Sequence, residues 1–164
     1  MSGVIFRNGL IFAGITIGYL LAVMLLFSPR IWGYQDYPSR VKAKVPPQTR
    51  RERLLAAVIG LPWFIFLIAF PIYSTYQIKA DLGGAIPFGI AFANLFFMTV
   101  LVELGDVVLL DWLLVSRVTP RFVIIPGSQR EDYRDFSEHF RSHGRAALIL
   151  VGVDLLMALI VWLV

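Results

Sequence analysis

The sequence predicts an all-α fold: a polytopic membrane protein, a four-transmembrane-helix bundle with an interfacial amphipathic helix in its second cytoplasmic loop. Three observations predict it. The 164 residues are 58% hydrophobic and only 16% charged, with a mean hydropathy of +0.74, whereas soluble domains run nearer a quarter charged. Four stretches are long and apolar enough to cross a hydrocarbon core, which takes about 20 residues of helix. Thirteen of the fifteen Lys and Arg residues fall in two connecting loops. A single transmembrane domain, residues 1–164, accounts for the whole chain.

The first span is placed near 9–28, in the uncharged run from Asn8 to Pro29. Its apolar run exceeds that of a signal peptide and no small-x-small cleavage site follows, so it reads as a retained anchor. It carries Gly14 and Gly18 in a G-x-x-x-G pattern, which lets helix backbones approach closely in lipid. The second span, near 54–77, contains Pro62 and Pro71, each of which removes a backbone hydrogen bond and can kink a helix. The third, near 86–113, opens with small residues at Ala85, Gly89 and Ala93. A helix over 86–116 would extend about 46 Å, too long for one crossing, so it projects beyond the membrane or breaks near Gly105. The fourth span, near 145–164, has one charge, Asp154. Trp63, Tyr73, Tyr76, Trp112 and Trp162 fall near span ends, where aromatic belts form. The Gly14/Gly18 and Gly89/Ala93 faces are read as helix-packing surfaces, within the chain before between chains.

The loops near 29–53 and 117–144 hold the thirteen basic residues, against Arg7 and Lys79 on the other side. The positive-inside rule makes both loops cytoplasmic and puts both termini outside, in a prokaryotic cell membrane. This bias also explains the net charge of +4, and a nucleic-acid partner is not expected. Zero cysteines exclude disulfide frameworks, iron–sulfur clusters, thiol catalysis, Cys-based zinc sites and quinone-coupled disulfide chemistry.

In the first loop Thr49 and Glu52 form a capping box that opens the second span. Arg50, Arg51 and Arg53 in that first turn, with Arg117, Arg121 and Arg145 between the third and fourth spans, suit contact with anionic lipid. In the second loop an extended run to Gly127 precedes another capping box, Ser128 to Glu131, and a helix over about 129–143. Its Tyr133, Phe136 and Phe140 make one apolar stripe, as on a helix lying in the membrane interface. Asp135, His139 and His143 recur at four-residue spacing, with Glu131 one turn earlier. Such a set can ligate a divalent metal, or haem through the two histidines. H-E-x-x-H is absent, and two histidines on a solvated helix are commonly plain surface residues. No cofactor is otherwise predicted, although bound lipid is.

The chemistry of the chain is concentrated in Glu103, Asp106, Asp111 and Asp154. A carboxylate at bilayer depth costs roughly 2.5–3.5 kcal/mol on insertion scales and faces a partner, a cavity or water. At about 100° per residue the first three share one broad face, and Asp154 sits near midplane. Three roles are open. The acids can bond to Arg117, Arg121, Arg145, Asn94 or Thr99 and hold the bundle; Asp154 can pair with another subunit; or Glu103 and Asp154 can form a proton or cation site. No internal repeat of the kind transporters carry is evident.

Asp36-Tyr37-Pro38, Val45-Pro46-Pro47 with Thr49, Asp111-Trp112, Pro120 with Phe122 and Ile125-Pro126-Gly127 together resemble a family of small four-span prokaryotic integral membrane proteins. The resemblance covers most of the chain and implies its architecture, with no activity to carry over. The functional expectation is a non-enzymatic accessory or scaffold subunit of a larger membrane complex. It would pack through small-residue faces, present a basic surface to the lipid bilayer, and meet other membrane subunits or a second copy of itself. The alternative is a membrane-embedded transporter or enzyme with an intramembrane carboxylate site for a proton, cation, metal or lipid headgroup.

Overall fold

The computed structural model describes residues 2–164. Apolar sequence with one charge, Arg7, winds into helix α1 (Ser2–Leu26). The first loop folds into two short helical turns, α2 (Pro29–Trp32) and α3 (Ser39–Lys42). The expected capping box then starts α4 (Arg50–Asp81), with Thr49 accepting from the Glu52 N–H and Glu52 accepting from the Thr49 N–H at 2.7 Å. Helix α4 runs through both Pro62 and Pro71, and below Pro71 the Thr75 hydroxyl donates to its carbonyl at 2.8 Å. Gly83 and Gly84, at φ +83° and +94°, make the left-handed turn that reverses the chain into α5 (Phe88–Gly105).

The long third element neither stops at Gly105 nor continues as it began. From Asp106 to Val118 it winds as a π-helix, ending where the Thr119 N–H donates to the Leu114 carbonyl, five residues back, at 2.8 Å. The helix expected over 129–143 also differs. Residues Arg130–Tyr133 form one 3-10 turn, opened by Asp132 accepting from the Gln129 N–H at 2.9 Å. The helix proper, α6 (Ser137–Leu163), starts later and runs unbroken into the last span. The reason is Tyr133: fully buried, it accepts from the Ile125 N–H at 2.9 Å, so the chain folds back on its loop instead of lying along a membrane surface.

Among the described residues four helices are long and apolar enough to cross a membrane, and no strand occurs. Their outward faces stay bare: Leu61 is 60% exposed and Leu148 78%. Apolar surface on that scale is at home in hydrocarbon, not water. Helix α5 sits centrally against α1, α4 and α6. Its Ala91, Leu95 and Met98 are fully buried, with Ala158 of α6 and Phe12 of α1.

Glycine does bring α1 and α5 together, but not at the predicted positions. A Cβ on Gly14, Gly18 or Gly89 would meet nothing within 4 Å, and these residues and Ala93 are exposed. The close approaches are instead Gly9, where a Cβ would lie 2.7 Å from Phe97, and Gly105, where it would lie 3.0 Å from Ile17.

At one end of the bundle the two basic loops fold onto each other as a cap. Tyr37, Val41, Val45, Val123, Ile125 and Tyr133 make its apolar core with Met24, Leu110 and Val115 from the helix ends. The Tyr37 hydroxyl donates to the Val123 carbonyl at 2.9 Å, and burial pushes that hydroxyl's pKa up, keeping it a donor. Around the rim Lys44 pairs with Asp132 at 2.6 Å and Arg40 with Asp135 at 2.7 Å. Glu138 accepts from both the Ser39 hydroxyl and its N–H.

Candidate functional site

Between the cap and the bundle lies a cavity of about 430 Å³. Its polar lining comes from three elements. The end of α5 and the π-helix bring Glu103, Asp106 and Asp111; α6 brings His139 and His143; the first loop brings Asp36. The π winding matters here. With bonds to the fifth residue back, Asp106 and Asp111 fall on successive turns of one face, whereas ideal α-helix would set them about 140° apart. Leu110 and Val115 share the same five-residue spacing, and both are buried.

Histidine, not arginine, partners the acids. Asp111 Oδ2 meets His139 Nδ1 at 3.1 Å and His143 Nε2 at 2.8 Å. Glu103 Oε2 meets His143 Nδ1 at 3.1 Å. The predicted arginine partners lie elsewhere. Arg117 stacks over Trp112 at 5.5 Å, and Arg121 and Arg145, like Arg50, Arg51 and Arg53, are exposed. No Lys or Arg is among the residues lining the cavity. Asp36 stands open to solvent at its edge. The protein crowded around it, followed by the charge of Asp111, raises its carboxyl above the ordinary range. Among the described residues neither the Asp36 nor the Asp106 carboxylate has an ion-pair partner.

The remaining wall is aromatic and apolar. Tyr19 donates to the Ile59 carbonyl at 2.7 Å and Trp32 to the Phe27 carbonyl at 3.1 Å, so their polar atoms are engaged and their rings remain to face the cavity. Trp63 completes this wall, its Nε1 buried and unpartnered. His139 Nε2 is likewise buried without a partner, on a side chain 3% exposed.

The four predicted acids therefore divide. Glu103, Asp106 and Asp111 line the cavity; Asp154 does not. Asp154 is 1% exposed and accepts from Thr99 at 3.0 Å through one oxygen, while the other has no partner. Asn94 donates to Thr75 at 2.9 Å, and Asn8 to Ser74 at 3.0 Å and Gln77 at 3.1 Å, adding interhelical polar contacts within the bundle. Asp135, grouped by spacing with His139 and His143, is turned to Arg40 on the cap rim. Among the described residues no three His, Asp or Glu side chains are arranged as a metal site. Sequence reasoning used Asp36 only as part of a short motif. The available signal was its isolation: Asp36 and Glu52 are the only acids in the loop 29–53, and Glu52 is taken by Arg30 at 2.5 Å.

No protein-family model, curated protein or solved structure matches this chain.

Proposed function

We infer that this chain is a cation-binding integral membrane protein whose working site is the cavity beneath the cap. One observation carries the reading: among the described residues four carboxylates line the cavity against two histidines and no Lys or Arg, and two of the four carboxylates have no ion-pair partner. Net negative charge in a partly desolvated space attracts a cation more strongly than the same charge in water. The excess of basic residues in the two capped loops supports a cytoplasmic position for this end of the molecule. The exposed arginines around it suit anionic headgroups.

The test is thermal unfolding of the full chain in detergent across chloride salts of sodium, potassium, magnesium, calcium and organic ammonium ions. We expect saturable stabilisation by at least one cation, as linkage requires for a ligand of the folded state. That stabilisation should be lost in Asp106→Asn and kept in Asp135→Asn. If every cation acts equally on both variants, the effect is general ionic strength and the reading fails.

The exposed faces at Gly14, Gly18, Gly89 and Ala93 support a subunit role alongside binding. Light scattering on the same preparation reads self-association: a monomeric micelle removes it.

A further inference from the structure

We propose that the cation bound beneath the cap is a primary ammonium group carried on an apolar body: an amphiphilic amine, either free or as the headgroup of an ethanolamine lipid. The proposal rests on the cation-binding reading and narrows it through three features of the cavity.

The first is hydrogen-bond chemistry. Asp111 Oδ2 is shared by His139 Nδ1 and His143 Nε2, so a carboxylate at Asp111 requires the proton of His139 to lie on Nδ1. In the neutral ring the remaining nitrogen is then an acceptor. That nitrogen, Nε2, is buried and has no partner in the protein. A buried acceptor left unmatched costs free energy, but this nitrogen is closed to the cavity, and the acceptors an ammonium N–H meets there are the Asp36 and Asp106 carboxylates, which have no ion-pair partner among the described residues. Among the described residues no three His, Asp or Glu side chains are arranged to hold a metal ion, and a quaternary ammonium has no N–H to give.

The second feature is the wall. Tyr19, Trp32 and Trp63 line the same cavity as the acids, and an ammonium ion over an aromatic face gains cation–π attraction. The third is the cavity's apolar lining. Leu20, Val23, Met24 and Ile59 contribute to it from α1 and α4, giving an alkyl chain a place that a hydrated inorganic ion does not use. Gly60 also lines the cavity, and a Cβ there meets nothing within 4 Å, so the space beside it is open.

The experiment uses the full chain in phosphatidylcholine nanodiscs, with octylammonium chloride as the probe and Trp fluorescence as the readout. Expected is saturable binding at least about tenfold tighter than for octyltrimethylammonium, which matches it in charge and chain but cannot donate. Asp36→Asn and Asp106→Asn should each weaken binding, and Asp135→Asn should not. Gly60→Leu removes no hydrogen bond and fills the open space, so it should abolish binding in a protein that still elutes as a single species. Nanodiscs containing phosphatidylethanolamine separate the sources. Weakened octylammonium binding there identifies the lipid headgroup as the occupant, and unchanged binding identifies a free amine.

Equal affinity for the two octyl probes overturns the proposal, as does octylammonium binding that survives Gly60→Leu. If inorganic cations bind through Asp106 while octylammonium does not, the amine inference fails and the cation reading stands. If no cation binds, both fail.

Discussion

Asp111 is the residue on which the site turns. A single carboxylate oxygen meets two imidazoles, one from each of two successive turns of α6, so its charge orients both rings at once. Its side chain is 17% exposed, enough burial for the loss of one partner to leave the others costly. Breaking a buried charge pair from one side costs about 3 kcal/mol or more. Asp111→Asn keeps the shape and removes the charge, so we expect a loss of about 3 kcal/mol in stability, read by chemical unfolding in detergent micelles. Loss of ordered His139 and His143 signals in imidazole NMR spectra should accompany it. A variant as stable as the parent would show that the histidines are held by packing alone. The sequence made His139 and His143 visible as a pair and Asp111 visible as an acid, but not their meeting. They are 28 and 32 residues apart, and the expected helix over 129–143 placed the histidines on a solvated surface at the membrane interface. Tyr133, by burying itself in the cap, turned that segment inward.

At the scale of elements, the spans were legible because hydrocarbon imposes length and polarity on any helix that crosses it. Their contacts were not, because small residues announce close packing without saying which of them is used. Gly14 and Gly18 form the better pattern, yet Gly9 and Gly105 make the contacts. Gly105 is the sharper case, since it stands where α5 passes into the π-helix and has Ile17 of α1 against it. A methyl group there would lie 3.0 Å from Ile17 Cγ1 and Cδ1. Overpacking of this kind costs about 1–3 kcal/mol. Gly105→Ala should therefore destabilise the protein by that amount in thermal unfolding, against the usual gain from replacing helical glycine. Ile17→Ala in the same chain should recover most of the loss. If Gly105→Ala alone is neutral or stabilising, the α1–α5 crossing is looser than this contact requires. The π winding had no equivalent signal: the five-residue spacing of Asp106, Asp111 and Ser116 is visible only to a reader who already suspects it.

For the molecule as a whole, charge and shape point the same way. The two basic loops share one apolar core and a rim of ion pairs, so their prolines and glycines serve a folded cap and not a tether. A folded cap bearing most of the positive charge is difficult to carry across a bilayer, since each exposed cation would have to leave water. This adds to the charge bias behind the proposal that the cap faces the cytoplasm. The natural absence of cysteine makes the orientation directly measurable. Glu131→Cys places a thiol on the exposed cap and Asp81→Cys one at the opposite end of α4. In intact cells a membrane-impermeant maleimide should label Asp81→Cys and leave Glu131→Cys unmodified until the membrane is opened. Labelling of Glu131→Cys from outside would invert the protein, and the cavity would then draw its cation from the extracellular side.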